Sequence, residues 1–335
     1  MIKKVGGIRE VARETGLSVA TISRVVNGAE NVKPQTREKV LLACEKLDYV
    51  PNPAARSLST RRSKTIAAII PTIEHSVFAK YITAIEQTLS DHDYSLVLAI
   101  SNSDLRSELK AARQLLGMGA EAFILSGADH FAELLNVLDR RNVPYVFTSV
   151  WDEGSPVPTI GYDNYDLAKR AVNYLRSLGH KKIAVTHGSL QESDRTRARR
   201  EGAVAAIGDG VTIDFYETPL NVEGGKLAVK AMFKSSLQYT ALLCFSDVLA
   251  LGAYFSLMEA GLKVPDDISV MGFDNLDWSG HVVPSLATID LPAEKMGKEV
   301  AIQLVEYLER SKPISPKRLE TDIVKRDSVR QVHGG

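Results

Sequence analysis

From Thr65 onward, short apolar runs alternate with longer amphipathic stretches. The runs read IAAIIP, SLVLAI, EAFILS, PYVFTSV, KIAVTHG, ALLCFSD and ISVMGFDN. Continuous apolar runs spaced by helix-length segments predict parallel strands covered by helices on both faces. There are more such units than one sheet of usual size holds, so the pattern predicts two doubly wound halves. The extended pieces PTIGYDN, LATIDLP and LETDIVKR suit crossings between them. The first fifty residues follow a different rhythm. Three helical patterns succeed one another: Ile8–Thr15, Val19–Val26 after the turn Gly16-Leu17-Ser18, and Pro34–Leu47. Pro34 suits a first helical position, where a missing N–H costs nothing.

A segment YVPNPAARSLSTRRSK leads out of this head. Asn52 is a good N-cap and Pro53 a good first residue, so residues 54–58 can form about one and a half turns. A helix that short is unstable alone in water. It forms conditionally.

The second helical pattern is unusual for its small side chains. At about 100° per residue, Ile22, Val25 and Val26 share one arc and face the first helix through Val11 and Ala12. Ala20, Ser23, Arg24 and Asn27 occupy the other arc. Small side chains let a helix sink into the major groove of DNA, which is about 12 Å wide. Arg24 can grip guanine or phosphate, and Asn27 base or backbone. Ser18 can cap the helix and leave backbone N–H groups facing phosphate.

Charge distribution strengthens that reading. The chain has 335 residues and no net charge. Residues 1–64, however, hold 13 basic and 6 acidic side chains, against 28 basic and 35 acidic in the remainder. A basic head on an acidic body is the signature of a polyanion-binding module joined to something else. The apolar share of 44% is ordinary for a globular chain of two to three domains. No run approaches the ~18 apolar residues of a membrane span. MIKKVGGIREVARETG has no apolar signal region, so a cytoplasmic location is expected. Cys44 and Cys244 lie far apart in apolar patterns and read as buried free thiols. Enzymatic motifs are missing: there is no G-x-G-x-x-G, P-loop, H-E-x-x-H or G-x-S-x-G. The seven histidines show no metal spacing. Neither catalysis nor a cofactor is expected.

Taken together, IREVARETGLSVATISRVVNG, TREKV and YVPNPAARSL resemble the N-terminus of the lactose-repressor (LacI/GalR) family of bacterial transcription regulators. The resemblance extends over the whole chain. It implies an all-α helix-turn-helix DNA-binding head and an α/β, periplasmic-binding-protein-like body of two doubly wound parallel-sheet subdomains. The implied division is a helix-turn-helix domain at 1–50, a hinge helix and linker at 51–64, and an effector-binding and dimerisation domain at 65–335. Within the last, an N-subdomain would span about 65–161 plus 292–319, and a C-subdomain about 162–291 plus 320–335.

The resemblance also assigns residues. Val19 and Ala20 would open the recognition helix and select bases by apolar contact, since neither side chain can hydrogen-bond. Ser18, Thr21, Ser23, Arg24 and Asn27 match DNA-contacting positions. Asn52, Ala55, Arg56 and Leu58 match the hinge helix, where Leu58 would wedge into the minor groove and kink a base step. Two caps depart from the family pattern, Gly7 before the first helix and Lys33 before Pro34. In the body, Phe78, Asp163, Arg199, Leu220, Ser246 and Asp274 match effector-binding positions, although relatives often carry Asn where Ser246 stands. Arg, Asp and an aromatic face suit a polar small molecule such as a sugar, sugar acid or nucleobase. Arginines 195, 197 and 200 fit a solvated face, or else lean the ligand toward an anionic sugar. DVLALGAYFSLMEAG is apolar nearly all round, so a sheet should cover one side and a second subunit the other. The partners expected are double-stranded operator DNA, a small-molecule effector and a second copy of the chain, with no membrane.

Overall fold

A computed structural model describes residues 7–29, 31–50, 62–73, 76–235 and 238–332. The chain divides into two compact units, residues 1–64 and 65–335.

The first unit is three helices: α1 (Ile8–Thr15), α2 (Val19–Val26) and α3 (Pro34–Lys46). Gly7 caps α1 with extended backbone, and the Glu10 carboxylate accepts its N–H. Gly16 then ends the helix in left-handed conformation, φ 66°, a turn that favours a residue without Cβ. Ser18 caps α2, its Oγ accepting from the Thr21 N–H at 3.1 Å. Val11, Ile22, Val25, Val40 and Ala43 form the small core. The third helix stops one residue earlier than its periodicity predicts, with Leu47 as C-cap.

The second unit holds two parallel sheets. The six-stranded one has the order β11-β5-β4-β3-β1-β2, from β1 (Thr65–Ile70), β2 (Ser95–Ile100), β3 (Ala122–Ser126), β4 (Tyr145–Thr148), β5 (Thr159–Gly161) and β11 (Lys317–Arg318). Helices α4 (Ser76–Ser90), α5 (Leu105–Gly117), α6 (Ala132–Arg140) and α11 (Ala293–Arg310) accompany it. The four-stranded one has the order β7-β6-β8-β9, from β6 (Lys182–His187), β7 (Thr212–Glu217), β8 (Ala241–Cys244) and β9 (Ser269–Met271). Its helices are α7 (Asn164–Ser177), α8 (Asp194–Ala205), α9 (Val222–Met232) and α10 (Asp247–Glu259). All seven apolar runs form strands, fully buried in β3 and β8 except at Ser126. β7 was not among them, because TIDFYE alternates as a half-exposed edge strand does. β10 (Thr288–Asp290) and β12 (Asp322–Val324), from LATIDLP and LETDIVKR, pair antiparallel as a separate ribbon.

One expectation changes. The apolar helix α10 is covered on one side by α9 of the same chain, through facing glycines 225 and 252. Its all-round apolarity therefore follows largely from packing within the chain. Phe255 and Met258 remain exposed, at 40% and 69%. Cys44 and Cys244 are free thiols, and burial pushes Cys244 well above the usual thiol range. Among the described residues, no helix is long and apolar enough to cross a membrane.

Candidate functional site

Two surfaces carry the chemistry. On the head, Ser18, Val19, Ala20 and Arg24 are exposed along one side of α2, while Ile22 and Val25 are buried on the other. Thr21, Ser23 and Asn27 are half-buried, and the Asn27 amide donates to Ser23 Oγ at 3.2 Å. The Ser18 and Thr21 hydroxyls lie 2.9 Å apart. A small-sided arc with the exposed Arg24 and a capped N-terminus is thus presented outward. Asn52, Ala55, Arg56 and Leu58 lie outside the described residues.

In the body, a cavity of 360 Å³ is lined from the carboxyl ends of strands in both sheets. Asn102 and Ser103 follow β2, Ser149 follows β4, Gly188 and Ser189 follow β6, Ser246 follows β8, and Asp274 follows β9. Several of these hold φ values rare for side-chain-bearing residues: Asn102 52°, Ser103 58°, Ser149 64° and Asp274 114°. Backbone in sparsely populated regions clusters where a fold positions groups for ligands.

Of the six effector positions expected, five line the cavity: Phe78, Arg199, Leu220, Ser246 and Asp274. Asp163 is not brought to it. That carboxylate caps α7 by accepting from the Asp166 N–H at 2.9 Å and lies 3.6 Å from Arg318.

Arg199 is fixed from several sides. Its Nε donates to Asn164 Oδ1 at 2.9 Å, a terminal nitrogen donates to the Phe245 carbonyl at 2.9 Å, and its guanidinium stands 4.8 Å from the Phe273 ring centre. Asn164 in turn donates to the Ser149 carbonyl at 2.9 Å, tying this arginine to the loop after β4. Ser246 caps α10 and donates to Asp274 at 2.9 Å. Burial pushes the Asp274 carboxyl above the usual range, opposed by the Arg199 charge. Behind it, Asp247 accepts from Ser279 Oγ at 2.5 Å, Thr288 Oγ at 2.6 Å and the Leu276 N–H at 2.9 Å. Burial and the neighbouring Asp274 charge push Asp247 up to about 7, against those three donors.

The other arginines of α8 do not form the solvated face that their spacing suits. Arg195 lies 3.1 Å from Asp194, Arg197 pairs with Asp129, and Arg200 stacks 4.7 Å from the Phe215 ring centre. Arg195 also lines the cavity, as do Tyr81, Ser149 and Tyr162. Sequence reasoning had weighed Arg195 only as part of an arginine cluster and missed Tyr81, Ser149 and Tyr162. The signal available for Ser149 was its place just after an apolar strand; Tyr81 and Tyr162 read simply as core.

A helix-turn-helix head joined to a two-sheet body with a polar cleft defines a ligand-responsive transcription regulator rather than an enzyme. Residues 7–52 match the bacterial regulatory proteins of the lacI family, and residues 63–322 match the periplasmic binding proteins and sugar binding domain of the LacI family. The chain belongs to that family. It is 32% identical to catabolite control protein A of Priestia megaterium, over 90% of this chain and 92% of the relative. Identity to the HTH-type transcriptional repressor CytR of Escherichia coli (strain K12) is 30%, over 96% of each chain. The lac repressor dimer, solved bound to operator and the anti-inducer ONPF, superposes with a TM-score of 0.85 at 27% identity, covering 97% of this chain and 99% of that one.

Proposed function

We propose that this chain is a cytoplasmic repressor that binds a pseudo-palindromic operator as a homodimer and releases or tightens its hold when a small molecule fills the body cavity. The observation that carries this reading is the convergence of Arg199, Asp274 and Phe78 on one 360 Å³ cavity between two sheets, in a chain whose head presents a small-sided helix. A guanidinium, a carboxylate and a ring face suit a polar ring compound, a sugar, sugar acid or related metabolite. Phe78, Arg199, Leu220, Ser246 and Asp274 would contact it.

Residues 18–21, 23, 24 and 27 would meet the operator, with Val19 and Ala20 against base edges and Arg24 on guanine or phosphate. Residues 51–64 would act as hinge and linker, pairing across the two-fold axis. Subdomains at about 65–161 plus 292–319 and 162–291 plus 320–335 would reorient around the effector and alter the hinge separation. Coupling of this kind is typically about 1–3 kcal/mol. Exposed Phe255 and Met258 on α10 supply apolar surface for the partner subunit.

Mapping bound sites across the genome, followed by gel shift on the recovered operator with sugars, sugar acids and nucleobases, tests the reading. It expects a palindromic site and one ligand class that changes affinity. Absence of any preferred duplex sequence refutes it.

A further inference from the structure

The loop after β3, residues 127–130, is gripped from both halves of the body. From the four-stranded side, Asp194 at the start of α8 accepts the Ala128 N–H at 2.6 Å, and Arg197 pairs with Asp129. Gly127 fits against α8 because it lacks a Cβ, which would fall 2.1 Å from the Arg195 guanidinium. From the six-stranded side the loop is held through His130. Its Nδ1 lies 2.9 Å from Oε1 of Glu108 on α5, and its Nε2 lies 3.1 Å from the Gly127 carbonyl. The ring packs 4.8 Å from Phe147 of β4. A carbonyl only accepts, so Nε2 carries a proton, and a second proton lies between Nδ1 and the carboxylate. The imidazole thus braces the loop by donating back to its first residue.

A gain in stability does not account for this pair. The His130 and Glu108 side chains are 1% and 7% exposed, and Glu108 Oε2 is buried without a hydrogen-bond partner. Desolvation offsets the attraction within a buried pair, and an unmet oxygen adds to the cost. Apolar side chains of similar size would fill the space at least as well. They could not hold the Gly127 carbonyl, and with it the direction in which the Ala128 and Asp129 amides point toward Asp194.

We propose that residues 127–130 are a catch between the two halves of the body, and that His130, braced by Glu108, is its positioning residue. Parting the two sheets requires the catch to let go. The catch acts on the body whatever fills the cavity, so it does not rest on the effector reading.

Amide hydrogen exchange and X-ray scattering on the full chain test it. Replacing both partners at once, Glu108→Leu with His130→Phe, keeps the space filled and leaves no buried charge. The melting temperature should hold or rise. The Ala128 and Asp129 amides should nevertheless exchange at least about tenfold faster, with the amides of β6 unchanged. The radius of gyration should rise with them. Asp194→Ala should release the same two amides, and adding it to the paired variant should release them no further. If the paired variant does not fold, His130→Gln decides. Its one nitrogen can donate to Glu108 or to the Gly127 carbonyl, never to both, so the same amides should exchange several-fold faster. Unchanged exchange at Ala128 in the variant that folds overturns the proposal. A lower melting temperature with every amide faster marks the pair as merely structural and overturns it too. So does faster exchange at an unchanged radius of gyration, which shows the loop freed without the halves parting.

Discussion

The Asp194 carboxylate accepts the Ala128 backbone N–H at 2.6 Å, joining the start of α8 to the loop after β3 across the cleft. Arg197 pairs with Asp129 beside it, and a Cβ on Gly127 would fall 2.1 Å from the Arg195 guanidinium. Burial acts to raise the Asp194 pKa, but Arg195 and the amides of Ala128, Arg195 and Asp129 outweigh it and hold the carboxyl below its usual range. A second bridge over the cleft, Lys80 to Asp277 at 2.6 Å, is far more open, with Asp277 87% exposed. Exposed pairs contribute about 0–1 kcal/mol, whereas hydrogen bonds to charged, sheltered groups contribute about 1.5–3 kcal/mol. Asp194→Ala should therefore open the body, raising the radius of gyration in X-ray scattering and weakening effector binding about tenfold. Asp277→Ala should change neither. Equal effects from both would mean that the Asp194 contact does not govern closure.

Asp247 and Asp274 predict the direction in which stability changes with pH. Both carboxyls are raised in the folded protein, chiefly by burial, Asp247 to about 7. An unfolded aspartate titrates near 3.9, so between about pH 4 and pH 7 the native state holds protons that the unfolded chain has released. Their contribution is full below about pH 4 and is lost as pH rises through the folded values. Calorimetric melting should show Tm falling from about pH 5 to about pH 8. Asp247→Asn should flatten that slope, because a neutral amide can still accept from Leu276 and Ser279 while donating to Thr288 Oγ. A slope identical in the variant would place the titration elsewhere.

Glycines 225 and 252 let α9 and α10 touch. A Cβ on Gly252 would sit 1.9 Å from the Val222 carbonyl oxygen, and one on Gly225 2.0 Å from that of Leu249. Both obstacles are backbone and cannot swing aside. Gly252→Ala should destabilise the body by about 1–3 kcal/mol, the usual cost of overpacking. Denaturant melts would show it as a lower midpoint with unchanged slope. An unaltered midpoint would mean that the helices separate without cost.

Much of this architecture was legible beforehand because burial on both faces leaves continuous apolar runs, and those runs marked seven strands correctly. TIDFYE escaped because one exposed face makes an edge strand alternate. In the cavity, Arg199 and Asp274 were legible from their motifs, yet the motif GYDN misplaced Asp163, whose carboxylate is used up by a helix end. No local signal distinguishes a capping aspartate from a cavity-lining one, since both follow a strand. Glu108 was silent for a related reason: an acidic residue in a helix's first turn reads as an ordinary dipole partner. Only tertiary structure shows it buried.

Arg24 and Leu58 should fail in different ways. Arg24 is exposed on α2, and on the proposed reading it would stand near base edges and phosphates. Arg24→Ala should cost about 1–3 kcal/mol on the cognate operator and relax selectivity at one base position. Leu58 carries no charge and would act only by prising a base step apart in the specific complex, so Leu58→Ala should spare non-specific binding and its salt dependence while weakening the cognate complex. Gel shifts on cognate and scrambled duplexes across a salt series separate the two. Leu58→Ala should also reduce operator bending in a circular-permutation assay, because an alanine is too short to hold a base step apart. If that variant loses affinity equally on both duplexes, or bends the operator as fully as the native chain, the wedge assignment falls while the reading of α2 stands.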